Sequence, residues 1–178
     1  MKRLALIAAL SLPSSALAGA EGYWKTIDDE TGNPRSLVHI KLEAGVLTGT
    51  IVQLYRQPDE DRDPLCNECE APLSTQHIVG MRIIDGLRLE DDTWEGGTIL
   101  DPGNGSTYKC YLSEQNGKLE VRGYIGFSIL GRTQIWHPAT APDPAIRTYL
   151  LDTQGNPMPL SFTDGTQASE GEIAEHMK

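Results

Sequence analysis

Positive charge is what this chain has least to offer: 15 lysines and arginines stand against 25 acidic residues in 178, a formal net charge of −10. Nucleic-acid backbones and anionic lipid headgroups both reward a basic stripe, so neither is expected as an electrostatic partner. Long apolar runs are scarce too. The clearest one, Leu4 to Leu12, is nine residues interrupted only by Ser11, well short of the roughly 20 that a membrane-spanning helix needs. No HExxH pair, Walker loop or dinucleotide fingerprint occurs, so neither a metal centre nor a cofactor is expected and an enzyme is not the first reading. With 18 glycines and 11 prolines, turns should be frequent and long helices few, because both residues weaken helix interiors.

What is present begins with a leader. Met1-Lys2-Arg3 gives a positive start, the apolar run follows, and Ala16-Leu17-Ala18 places small residues where a signal peptidase reads. Residues 1–18 are therefore expected to be a cleaved secretory signal, with residue 20 as the alternative cut. No cysteine stands at the cleavage site, so a lipid anchor is not expected.

Export sets how the three cysteines are read. In an oxidising compartment close cysteines pair by default, and Cys66-Asn67-Glu68-Cys69 places two of them three residues apart in a turn-rich stretch. Redox catalysis would require a depressed thiol pKa, yet Asp59, Glu60, Asp61, Asp63, Glu68 and Glu70 surround the pair and favour the protonated thiol. A structural clasp is the expectation, with Cys110 left over. Zinc would need a second pair of ligands, and only His77 is near. Asp59, Asp61, Asp63 and Glu70 have the spacing of a calcium loop, but Pro64 stands where that loop turns on glycine. An exposed acidic loop is the plainer reading.

The middle of the chain alternates with period two. Val38, Ile40 and Leu42 share one face, His39, Lys41 and Glu43 the other, as in a half-buried strand. Ala44-Gly45 turns this strand into a second rich in β-branched residues, so 36–54 is expected to be a hairpin. Further strands are expected at 81–87, 94–100, 106–112, 118–125 and 132–136, and 22–27 completes eight. Asp91-Asp92, Asp101-Pro102-Gly103-Asn104-Gly105 and Asn116-Gly117 supply turns between them. Short links favour an all-β, up-and-down antiparallel barrel over 19–137, and eight strands can close around side chains or one small ligand. A two-sheet sandwich is the alternative. Residues 138–178 read as a loosely structured, Pro-rich and polar C-terminal extension, in which a short helix through Leu151 competes with a hairpin around Gly155-Asn156.

Several motifs fall in a recognisable order. Gly22-Tyr23-Trp24-Lys25-Thr26, Cys66-x-x-Cys69, Gly97-Thr98-Ile99-Leu100-Asp101-Pro102 with Gly105 and Tyr108, Leu119 to Gly126, and Gly131-Arg132-Thr133-Gln134-Ile135-Trp136 span about 22–136. Together they resemble the bacterial exported family catalogued as domain of unknown function 2147. The resemblance implies a lipocalin-like barrel in the bacterial envelope, hence the periplasm, and carries no established activity. Cys110 matches none of its motifs.

The barrel reading then places chemistry. Trp24 near the start of the first strand and Trp136 at the end of the last should lie side by side where the barrel closes, and Arg122 is expected at the same end as part of a structural plug, its guanidinium over an indole. The alternative is that Leu119, Val121 and Ile125 take the inner face and turn Arg122 outward. Gly126 to Gly131 falls one residue outside a Gly-x-Ser-x-Gly elbow; a short helical turn before the last strand, acting as a lid, is preferred to serine hydrolysis. Two function classes follow. One is a periplasmic protein holding a small apolar or amphipathic molecule inside the barrel, anchored by Tyr108, Tyr124, Arg132 and Gln134. The other is a structural or interaction module whose barrel is filled by its own side chains.

Overall fold

The computed structural model describes residues 19–144 and 146–160; the leader expected over 1–18 and the polar tail from 161 lie outside the described residues. Ten strands follow one another: β1 (Gly22–Ile27), β2 (Pro34–Glu43), β3 (Val46–Arg56), β4 (Arg82–Glu90), β5 (Thr93–Asp101), β6 (Ser106–Gln115), β7 (Lys118–Tyr124), β8 (Arg132–Ala139), β9 (Thr148–Leu151) and β10 (Pro157–Leu160). Short 3-10 turns occupy Leu73–Thr75 and Ser128–Leu130, the second in the place where a helical turn was expected. No helix among the described residues is long and apolar enough to cross a membrane.

β1 to β8 form a closed antiparallel barrel. Neighbours in sequence pair with each other, and the ring closes where β1 meets β8, with Trp24 opposite Pro138 and Lys25 opposite His137. The β3–β4 ladder runs through Leu47↔Leu87 and Gly49↔Ile84. Antiparallel order gathers the two-residue turns at 44–45, 91–92 and 116–117 at one end. The longer connections at 28–33, 57–81, 102–105 and 125–131 lie at the other.

Alternation decides which side chains enter the barrel. Trp24 stands opposite Val38, Leu112 opposite Val121, and Leu119 opposite Trp136, and each of these is at most 5% exposed. With Ile40, Leu47, Ile84 and Leu87 they belong to one continuous apolar cluster. Burying each such side chain contributes about 1.5–3 kcal/mol, so the interior is the core of the molecule.

The 57–81 connection is pinned as well. Cys66 and Cys69 form a disulfide with Cα atoms 5.3 Å apart, and both sulfurs belong to buried residues of the main cluster. Cys66 lies 3.7 Å from the Pro102 carbonyl. At Gly105, where φ is +69°, an added Cβ would run into the Glu68 carbonyl, so the loop and the β5–β6 turn touch backbone to backbone. Ile83 and Leu100, on the opposite sheet face from the core-facing Ile84 and Ile99, are each 7% exposed, because this loop keeps water from that face too. Its acidic residues stay exposed, as expected of an acidic loop, and some are paired at the surface: Arg56 meets Glu60 at 3.3 Å, and Asp63 meets both His77 and Arg147.

Beyond β8 the chain returns to the barrel. β9 and β10 form a hairpin, and β9 adds in parallel to the far half of β3, Leu54 facing Thr148 and Arg56 facing Leu150. Of the two sequence readings of this stretch, the structure selects the hairpin, and where a loosely structured extension was expected β9 and β10 join the barrel's own sheet, because Leu150 and Leu151 are buried there.

Two outcomes test this packing. A Cβ at Gly97 would sit 2.6 Å from the Leu87 nitrogen, whereas one at Gly123 finds ordinary contacts at 3.5 Å. Gly97→Ala should therefore lower stability by about 1–3 kcal/mol in urea unfolding, and Gly123→Ala should leave the midpoint nearly unchanged. Cys110 is fully buried and its thiol is pushed up to about 12 by that burial. Thiol titration should find no reactive group in the folded protein at pH 8 and one per chain after unfolding without reductant.

Candidate functional site

The residues expected to line a ligand site are dispersed by strand parity. Gln134 faces inward opposite Val121 and accepts a hydrogen bond from Trp136 Nε1 at 3.2 Å. Tyr108 also lies on the inner face, near the long-loop end, and its hydroxyl accepts from Asn104 Nδ2 at 3.0 Å. Arg132 is at that end too, exposed and ion-paired to Asp29. The hydrogen bond to Asp29, with the further acidity of Asp101 and Asp28, raises its pKa. Tyr124 departs from the expectation. It pairs with Lys109 and rests against Tyr111 at 6.5 Å between ring centroids, on the outside of the barrel, because the inward position beside it is Gly123.

The expected plug is likewise divided. Trp24 and Trp136 are neighbours at the closing seam, 5% and 2% exposed, and Trp24 Nε1 donates to the Ala20 carbonyl at 2.8 Å. Arg122 does not join them. Leu119 and Val121 take the inner positions of β7, which turns Arg122 outward and toward the opposite end. There its guanidinium donates to the Ser128 and Ile129 carbonyls and to Thr133 Oγ1. It clasps the connection between β7 and β8 and is not stacked on an indole.

A space large enough for a small molecule lies on the outer wall. A groove of about 670 Å³ runs between the barrel and the returning C-terminal segment. Its floor is Lys25 from β1, Leu37 from β2, and Gln53 and Tyr55 from β3; the 138–143 segment and Tyr149 from β9 form the other side. These positions face outward because Trp24, Val38 and Leu54 beside them face the core. Leu37, Tyr55 and Leu151 make a second, smaller apolar cluster with Val52, Ala139 and Tyr149 packed against it.

Aromatic stacking and a few polar bonds define this groove. Tyr55 and Tyr149 stack with centroids 5.5 Å apart and planes 13° off parallel, and Lys25 Nζ stands 5.6 Å from the Tyr55 ring. Gln53 donates to the Ile146 carbonyl, Leu54 N to the Arg147 carbonyl, and Thr148 Oγ1 to the Arg62 carbonyl. Burial, then the neighbouring Tyr149, pushes the Tyr55 phenol up to about 12. The arrangement offers flat apolar surface, the Lys25 cation, the Asp143 carboxylate and backbone oxygens, which suits holding a molecule. Sequence reasoning missed Tyr55 and Tyr149. Their outward alternation was readable, but their meeting depends on a parallel pairing between segments about 90 residues apart, for which no turn signal exists.

A family model described as "Uncharacterized protein conserved in bacteria (DUF2147)" matches residues 22–138, from the first barrel strand almost to the end of the eighth. The chain is also similar to a solved structure, protein HP1028 of Helicobacter pylori, described as belonging to the lipocalin family. The two share 17% identity with a TM-score of 0.58, over 68% of this chain and 84% of that one, a likeness of fold. No curated protein matches the chain.

The Tyr55 environment has a pH consequence. The folded state favours the neutral phenol, so its contribution to stability is complete below pH 10, where the unfolded phenol is also neutral, and is lost as pH rises toward 12. Absorbance titration at 295 nm should show one late phenol in the wild type. Tyr55→Phe should remove that late step and leave the others.

Proposed function

We propose that this chain, which belongs to the DUF2147 family of bacterial proteins, is an exported, periplasmic binding protein for a small apolar or amphipathic molecule, and not an enzyme. Export rests on the leader pattern of residues 1–18. The binding site in this reading is the outer groove. The observation that carries it is the contrast between an interior packed with its own tryptophans and leucines and a 670 Å³ groove walled by the stacked Tyr55 and Tyr149. Pockets of a few hundred Å³ with mostly apolar walls and few polar groups are where small molecules bind. Lys25 and Asp143, both in the lining, are among the groove's few polar groups.

A side-chain-filled barrel also favours the second class of function, an interaction module of the envelope with no ligand. Native mass spectrometry of protein purified from its own envelope fraction separates the two. A co-purifying metabolite or lipid that is lost at least about tenfold in Tyr149→Ala, through the removed stacking and burial, supports the groove. An adduct insensitive to Tyr149→Ala but lost in Gln134→Leu returns the ligand to the barrel axis. Repeated absence of any adduct favours the interaction module.

A further inference from the structure

The connection between β7 and β8 carries an apolar surface that the groove does not use. Ile125, Phe127, Ile129 and Leu130 are 70%, 78%, 83% and 77% exposed, four large apolar side chains within six residues. No charged residue occurs from Gly123 to Gly131. Scattered exposed leucines are ordinary, but a contiguous apolar tip on an acidic protein is not. With side chains this far in water, the turn does not close over the barrel mouth as a lid would.

The tip is also built. Leu130 N donates to the Phe127 carbonyl and Gly131 N to the Ser128 carbonyl. Arg122 reaches under the turn, Nε donating to the Ser128 carbonyl at 2.8 Å and a terminal nitrogen to the Ile129 carbonyl at 3.4 Å, while its other terminal nitrogen holds Thr133 Oγ1 at 2.7 Å. The carbonyls of three successive residues are thus satisfied from within the protein. Each carbonyl satisfied in this way lowers the cost of moving the turn from water toward lipid.

We propose that Ile125 to Leu130 is a membrane-docking tip that inserts its four apolar side chains into the interfacial region of a zwitterionic lipid surface. Shape favours lipid over a protein partner. A 3-10 turn has about three residues per turn, so Ser128, Ile129 and Leu130 project in different directions from a convex tip. A protein pocket would receive one of these side chains, whereas a fluid interface receives all of them. Arg122 adds a matching charge. Its guanidinium hydrogen bonds go to neutral oxygens, leaving a positive charge beneath the tip at the depth of headgroup phosphates. The net charge of −10 excludes an anionic surface as the preferred one.

The test is flotation of the full chain with vesicles of phosphatidylcholine and phosphatidylethanolamine. The wild type should float with them, and Phe127→Ser with Ile129→Ser should lower the partition coefficient at least tenfold with an unchanged thermal midpoint, since both side chains are already in water. A Phe127→Trp variant should add blue-shifted emission when vesicles are present. Adding phosphatidylglycerol at low salt should weaken binding. Four results overturn the proposal: no flotation of the folded wild type, flotation unaffected by the serine variant, binding that requires the anionic lipid, or a tip-dependent dimer in sedimentation without vesicle binding.

Discussion

Three residue pairs between β1 and β8, from Tyr23↔Ala139 to Lys25↔His137, turn a sheet into a barrel, and the rest of the molecule depends on that seam. Without it β1 would be an open edge and the two indoles would stand at opposite margins of a sheet. A net contribution of about 0.5–1.5 kcal/mol per hydrogen bond makes so short a ladder a modest force. Burial of Trp24 and Trp136 directly behind it adds about 1.5–3 kcal/mol for each side chain. The seam therefore holds because it covers the two largest core side chains as much as because its backbone groups pair.

β3 creates the second level of organisation. It is eleven residues long, and its ladder to β4 runs only through Leu47, Gly49 and Thr50. Beyond the short continuation of that pairing through Ile51 with Gly80 and Met81, the far half of β3 would present unpaired backbone, the condition under which a strand edge recruits another strand. β9 fills it in parallel. The groove follows from that solution: a segment coming from the short-turn end and arriving beside β3 has to cross the outer faces of β1 and β2, and the space under the crossing is the groove.

Much of this was legible in the sequence. The strands follow from period-two alternation bounded by turn residues, and β1 occupies the expected 22–27. The pairing of Cys66 with Cys69 follows from spacing and context. Side-chain direction was less legible because parity alone cannot choose a face. Arg122 and Tyr124 are polar positions in a strand whose inner side is claimed by Leu119, Val121 and Gly123, and only the register with β6 and β8 settles the matter. The groove was least legible. It joins Lys25, Tyr55 and Tyr149, which no local pattern links, through a crossing segment whose composition says only that it is not a helix or a core strand.

Filling the barrel has a dynamic consequence that bears on where a ligand can exchange. A molecule seated deep in the axis would have to displace fully buried leucines and, at the short-turn end, Trp24 and Trp136, and displacing them costs a large part of the global stability. The outer groove carries no such cost. Its far side is the Pro138 to Asp143 segment, and the link onward to β9 is held to β3 by Leu54 N to Arg147 and by Gln53 to Ile146. Beyond it the chain is held more firmly, since β9 pairs with β3, Thr148 Oγ1 donates to the Arg62 carbonyl, and Leu150 and Leu151 are at most 2% exposed. Exchange of the proposed ligand would thus involve the Pro138 to Asp143 segment alone, with β9 and the barrel left in place, and the Tyr55–Tyr149 stack is the surface for which a flat molecule would compete.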